Sequence, residues 1–331
     1  MRLTINLITY NSAKYLPALF GSLKKQTFKD WDMNVLDNNS SEDSVLELKK
    51  ELARFGGQFR FIENKINIGF AVGHNELFKK VNSEYFLILN DDVVLTDDCL
   101  QKMIDFLDQH KNAAAVSPRL MRLKNRDVID SLGLKVFRNR RVVEIDGGVV
   151  YAPIYNNTVE VFGLSCACAM FKKSIIENVC YTKYEMFDRD YFMYKEDIDL
   201  AYRLQQADFR LYTLMDAICY HDRTGVGGKD LSEVESIKNK RKQSQFIKYY
   251  SYKNHLATLY KNEYWQNYLL DWPWIKWYEL KKLIYYVLFD RTVLKGVCDL
   301  WRDRLNLKRK RKMIIKLRKI NWKEMRKRIY A

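Results

Sequence analysis

The feature that most restricts this 331-residue chain is the stretch Tyr85 to Val94, an apolar run that stops at Asn90-Asp91-Asp92. Tyr85 to Leu89 carry no charge and have the length and composition of a strand buried on both faces. Such strands belong to open sheets covered by helices, and those sheets bind ligands just past the carboxyl ends of their strands. Two adjacent carboxylates at such an end repel each other, and a divalent cation or a cationic substrate would relieve that cost. Extended backbone for one more step sets Asn90 and Asp92 on one face. They would then offer two hard oxygen ligands, which suit Mg²⁺ or Mn²⁺ carrying a diphosphate. Taken alone, the tripeptide fits a plain strand-to-turn junction better, because Asn and Asp are good turn formers. Its surroundings change that balance.

Upstream, strand and helix patterns alternate. Residues 3–9 read as a strand, followed by Tyr10-Asn11-Ser12 and an amphipathic helix from Tyr15 to Gln26. Trp31 to Leu36 is a second strand, closed by Asp37-Asn38-Asn39-Ser40-Ser41, so a second acid stands at a strand end. A helix over Val45 to Phe55 and a strand over Phe59 to Glu63 follow. Residues Asn67 to Asn75 then open another helix whose first amides could approach a diphosphate, although they match no phosphate-loop pattern. This alternation predicts a mainly parallel sheet with helices on both faces.

Downstream, Leu100 to His110 is a helix, Ala113 to Leu120 a strand, and residues 121–160 hairpins or irregular loop. Val161 to Phe171 reads as one strand of small residues, leaving room for a substrate or for a close helix. Phe187 to Leu204 places Glu196-Asp197 at the start of a helix. Acids there usually cap free amides, and the same dipole would keep a carboxylate ionised as a general base. Phe209 to Leu214 is a strand and His221 ends the next apolar segment, where a structural role and a ligand role both stand. Asp222 to Gln243 reads as a mobile loop or lid.

Net charge is +16, and residues 301–331 carry fourteen Lys and Arg against two acids, a net +12. Such a tail is a footprint for phosphate, on nucleic acid or anionic lipid. The six scattered cysteines read as reduced thiols and give a zinc site little support. The start of the chain lacks the pattern of a signal peptide, and the longest apolar runs fall short of a membrane span.

In order and spacing, ITYNS (8–12), LDNNSSEDS (36–44), NIGFAVGHN (67–75), LILNDDV (87–93), FDRDYFMYKEDIDLAYRL (187–204), His221 and YKNHLATLYK (252–261) resemble the family 2 inverting glycosyltransferases of GT-A fold. The branch most similar contains bacterial rhamnosyltransferases and other glycan-assembly enzymes. The resemblance covers roughly residues 1–260 and implies a Rossmann-like, mainly parallel sheet. It implies a catalytic domain over 1–225, with a nucleotide-sugar half (1–95) and an acceptor half (96–225). A mobile loop and helix (226–262) would complete the site, and a helical, basic, aromatic-rich extension (263–331) would follow.

Carried over by position, Tyr10 and Asp37 would line the nucleobase pocket, while Asn67, Gly69 and Asn75 would sit near ribose and diphosphate. Asn90, Asp91 and Asp92 take the place of the metal-binding D-x-D, with Asp92 as the ligand of Mg²⁺ or Mn²⁺ and Asn90 replacing the motif's first acid. Asp197 would be the base and Glu196 would bind the acceptor. His221 would be a metal or diphosphate ligand, and Lys253 would stand near the donor phosphates where the branch often has Arg. The implied reaction moves a sugar from a UDP- or dTDP-linked donor, dTDP-rhamnose among them, to a glycan or polyprenyl-diphosphate-linked saccharide. The implied setting is cytoplasmic, on the inner face of the membrane, with the tail 301–331 on anionic lipid. A solvated basic extension and a dimer face are the other readings of the C-terminal aromatics and charge.

Two rival functions are weaker. A nucleotidyltransferase would need a basic, glycine-rich loop early in the chain, and residues 8–20 hold only Lys14. A nucleic-acid or partner-binding protein acting through its tail leaves Asp37, Asp92, Asp197 and His221 without a role.

Overall fold

The computed structural model describes residues 1–152, 158–223 and 243–330. The first half alternates as expected: β1 (Leu3–Thr9), α1 (Leu16–Lys25), β2 (Trp31–Asp37), α2 (Glu42–Phe55), β3 (Phe59–Glu63), α3 (Gly69–Phe78) and β4 (Tyr85–Leu89). Then come β5 (Val93–Leu95), α4 (Cys99–Gln109), β6 (Ala113–Arg122), β7 (Ile129–Ser131), β8 (Leu134–Val136), β9 (Val142–Glu144), β10 (Val159–Val161), β11 (Cys168–Lys172), α5 (Lys173–Val179), α6 (Glu196–Gln206) and β12 (Arg210–His221). The C-terminal part is helical: α7 (Gln245–Asn262), α8 (Trp265–Phe289), α9 (Lys295–Arg302), α10 (Arg304–Leu317) and α11 (Trp322–Tyr330).

The main sheet runs β10-β12-β6-β11-β4-β1-β2-β3, with β5 on β12 and β7 on β6. From the pairings, β3, β2, β1, β4, β6 and β12 point one way, while β11 and β10 oppose them. Central β4 is buried along its whole length, which is why its sequence is uniformly apolar. Helices cover both faces. Leu19, Phe20, Leu48 and Met103 fill one side, and Phe78, Ile176, Leu200 and Leu204 the other. Leu307, Ile320, Met325 and Ile329 join this second core, so the C-terminal helices pack on the α6 face of the sheet.

Two expected strands differ. Val161 to Phe171 is not continuous, because β10 lies at the sheet edge on β12 while β11 lies between β4 and β6. Residues 162–167 must cross from one place to the other. A Cβ on Gly163 would lie 2.9 Å from that of Ala201, so the small residue there admits a close helix. Arg210 to His221 is instead one strand, with a register irregularity between Leu214 and Ile218.

Candidate active site

The sheet directions carry the ends of β1, β2, β4 and β12 to one edge, and with them Tyr10, Asp37, Asn90-Asp91-Asp92 and His221. Asp37 is buried and accepts hydrogen bonds from Thr9 Oγ1 (3.2 Å) and the Ser40 amide (3.0 Å). Tyr10 is exposed, and its amide donates to Asp91 Oδ2 at 3.3 Å. Burial pushes the Asp91 carboxyl up to about 6, with the neighbouring Asp92 adding to the effect. The Asn90 amide donates to the Ala167 carbonyl (2.9 Å), which ties the motif to the crossing segment.

Asp92 and His221 meet because β5, directly after the acidic motif, pairs with the end of β12 and sets Val93 beside His221. His221 Nε2 lies 3.3 Å from Asp92 Oδ1, and His221 Nδ1 lies 2.8 Å from Asp130 Oδ2. Burial works to lower the His221 pKa, but hydrogen bonds to Asp130 and Asp92 outweigh it and push it up to about 10. Arg223 bridges Asp130 (3.0 Å) to Glu144 (2.8 Å). Asp92 Oδ1 is buried and makes no hydrogen bond of good geometry. Among the described residues no group of three or more His, Cys, Asp and Glu side chains surrounds one point. Once His221 gives up its Nε2 proton, it and the orphaned Asp92 oxygen are two protein donors that fit a cation keeping waters and substrate phosphates as its other ligands.

The acids Glu196 and Asp197 begin α6, after an unusual loop. Phe192, Tyr194 and Lys195 have φ of 59°, 68° and 72°, a left-handed conformation that costs non-glycine residues energy. Asn254 of α7 holds this loop by donating to the carbonyls of Tyr191 (2.9 Å), Met193 (2.9 Å) and Tyr194 (2.8 Å). Below it, Asp188 accepts from both Lys261 and Lys310, two fully buried ammonium groups from α7 and α10. Burial drives Glu196 up to about 8 and Asp197 to about 6, so the pair carries about one proton at neutral pH. Glu196 is buried with Oε2 unpartnered, and Asp197 is half-buried.

The remaining expected residues have structural partners. Asn67 Oδ1 accepts from the Gly69 amide (2.9 Å) and from Asn38 Nδ2 (3.0 Å). Gly69 has φ +77° and lies against Phe192, whose carbonyl would be 2.5 Å from an added Cβ and accepts from the Ala71 amide (3.0 Å). The start of α3 is therefore covered by the Phe192 loop, not open for a diphosphate as its sequence suggested. Asn75 is buried, and its amide clasps the Phe187 backbone at 2.8 and 2.9 Å, a brace where a ribose or diphosphate contact was expected. Lys253 donates to the Asp190 carbonyl at 2.8 Å. Residues 224–242, most of the expected lid, lie outside the described residues. A cavity of about 650 Å³ lies at the far end of α6, lined by Gln205, Asp208 and Arg328 and by none of the expected site residues.

Asp130, Glu144, Arg223 and Asn254 escaped sequence reading. Asp130 and Glu144 lie in three-residue strands and Arg223 just past the end of β12, where no periodicity marks them, while Asn254 sat unremarked inside a quoted motif.

Comparison with known proteins shows the fold and the family. The chain is 24% identical over 217 residues to the poly-beta-1,6-N-acetyl-D-glucosamine synthase of Staphylococcus epidermidis, covering 65% of this chain and 48% of that protein. It thus spans about half the length of several curated relatives it matches. The structure superposes on GalNAc-T7 with UDP, GalNAc and Mn2+ (TM-score 0.59, 9% identity, 79% of this chain and 48% of that one). It also superposes on S. aureus TarS 1–349 in complex with UDP-GlcNAc (TM-score 0.51, 16% identity, 80% and 68%). These likenesses show the GT-A fold. Residues 4–180, more than half of the chain, match the family profile described as Glycosyl transferase family 2, and the chain belongs to that family.

Proposed function

We propose that the protein is an inverting glycosyltransferase that moves a sugar from a nucleoside-diphosphate donor to a hydroxyl of a glycan or polyprenyl-diphosphate-linked saccharide. The observation that carries this is the convergence at one sheet edge of Asp37 and the Asp92–His221 pair, each at a strand end, in a family 2 chain. Tyr10 and Asp37 would receive the nucleobase, and Lys253 would approach the phosphates. Asp92 and His221 would hold Mg²⁺ or Mn²⁺, which would neutralise charge on the departing diphosphate. A UDP- or dTDP-linked sugar is the proposed donor. The UDP and UDP-GlcNAc bound by the structural neighbours support the uracil form, with dTDP-rhamnose the other candidate.

The chemistry asked of this chain's own groups is short. The ionised Asp197 carboxylate takes the proton of the acceptor hydroxyl as its oxygen attacks the anomeric carbon. The bond from that carbon to the diphosphate oxygen breaks, and the nucleoside diphosphate leaves with the electron pair. One base suffices and no covalent intermediate forms, unlike hydrolases with two carboxylates about the bond. Glu196, neutral at physiological pH, would donate a hydrogen bond to the acceptor. A lipid-linked acceptor would bring the protein to the inner face of the cytoplasmic membrane, with the basic segment 301–331 towards anionic lipid.

The test is nucleotide release from UDP-, dTDP- and GDP-sugars with Mg²⁺ or Mn²⁺. One donor should turn over, and Asp92→Ala should abolish turnover. Failure of every donor to bind or react, with and without cation, would overturn the reading.

A further inference from the structure

The 25-residue helix α8 packs on the body through one side only. Along its outer side Trp265, Leu269, Trp272, Leu280, Leu283 and Val287 recur at steps of three and four, and all are exposed. Only Lys276 interrupts the series. A second row, Leu270, Trp277 and Ile284, lies beside it at seven-residue steps and is also exposed. At about 100° per residue the two rows span roughly 160° of the helix, along a length of about 37 Å. A strip of that size, about 10 Å across, reaches the range of roughly 300–600 Å² at which apolar patches on soluble proteins mark an interaction site.

The charges on the same helix are sorted. Both acids of α8 face the body. Asp271 is fully buried among Arg138, Arg140 and Arg326, and Glu279 pairs with His255 and Lys282. Among the described residues the outer face of α8 holds Lys276 and no acid. Just past its end, Arg291 and Lys295 are exposed, and further on Trp301 and Leu305 are exposed beside Arg302 and Arg304. A wide apolar face with tryptophans, free of acids and flanked by cations, is the pattern of a helix lying in the plane of an anionic bilayer surface. A helix-to-helix seam would need only a narrower two-position stripe. No described helix is long and apolar enough to cross a membrane.

We propose that the outer face of α8 docks the protein on an anionic lipid bilayer. The apolar anchor is thus α8, and the basic tail supplies long-range attraction. Part of that tail is turned inward: Lys310 joins Asp188 and Asp190, Arg318 reaches Gln206, and Arg326 pairs with Asp271. The docked face connects to the Asp92–His221 pair. Arg138, at the tip of the β8–β9 hairpin, pairs with Asp271 at 2.8 Å and lies over the Trp274 ring, while Glu144 at the hairpin's end belongs to the His221 network. This linkage would present a lipid-linked acceptor from the bilayer plane. That use rests on the transferase reading, whereas docking itself does not.

The test is flotation of the full chain with vesicles of phosphatidylcholine and phosphatidylglycerol. Wild type should float with them and at least tenfold less with pure phosphatidylcholine. Leu280→Glu combined with Ile284→Glu should lose at least tenfold in partitioning, while melting temperature and donor hydrolysis in solution stay at wild-type values. Wild type that stays with the soluble fraction, or binds both vesicles equally, overturns the proposal, as does a double variant that floats like wild type. A lipid-free dimer that the double variant converts to monomer makes the face a self-interface and also overturns it. Absent donor turnover in wild type with normal flotation would sink the transferase reading and leave docking standing.

Discussion

Replacing Lys310 by Met should destabilise the protein by about 3 kcal/mol, the low end of the range for breaking a buried ion pair. Lys310 Nζ is buried against Asp188, lies 2.7 Å from Asp190 Oδ2 and 3.3 Å from Glu185 Oε1. Methionine fills nearly the same volume but leaves those carboxylates one cation short. Asp190 is 41% exposed and can return to water. Asp188 keeps Lys261, but that ammonium is shared with Asp199 at 2.9 Å. The loss is therefore real but not at the upper end. At roughly 2 °C per kcal/mol for a chain this long, the melting temperature should fall by about 6 °C. Because the pair is out of solvent, 0.5 M salt should leave that difference in place. Burial works to raise the Asp188 pKa, but Lys261 and Lys310 hold it well below the usual carboxylate range. Its contribution is thus full above the ordinary carboxylate pKa and is lost as pH falls through the folded value. The assay is urea and thermal unfolding of Lys310→Met beside exposed Lys308→Met, with Asp188→Asn closing a double-mutant cycle. If Lys310→Met melts with Lys308→Met, or the cycle shows no coupling, the argument from burial fails.

Three further outcomes follow from the loop and the acids. Transferase activity should rise with pH with a midpoint near 6, because burial holds Asp197 there and only its ionised form accepts the acceptor proton. Asp197→Asn should remove that limb and about 10²–10⁴-fold of kcat. Asn254→Ala frees three carbonyls of a strained loop and should lower stability by about 1–3 kcal/mol and kcat more than KM, read from unfolding and steady-state kinetics. Glu196 binds its proton more tightly in the folded state, at about 8, so folding stability from this group falls as pH rises from 4.5 to 8. Glu196→Gln should accordingly melt higher than wild type at pH 9, with the gap closing towards pH 4.

The sequence alone determined the alternation of strands and helices in the first 95 residues and the place of Asp37 and Asp92 at strand ends. Central β4 is buried on both faces and apolar throughout, so the acids directly after it mark the edge where ligands bind. The motifs also carried the family. Tertiary structure decided what no local pattern records. The β5–β12 pairing brings His221 to Asp92 across more than a hundred residues and adds Asp130 and Arg223 behind it. The division of Val161 to Phe171 into two strands depended on which sheet position each half takes. Asn67 and Asn75 read as ligand contacts until their amides proved to be engaged with backbone and Asn38. Lys310 looked like one more charge in a solvated tail. Hydropathy periodicity follows apolar side chains and is blind to a lysine that turns inward, so only packing against Asp188 could reveal it.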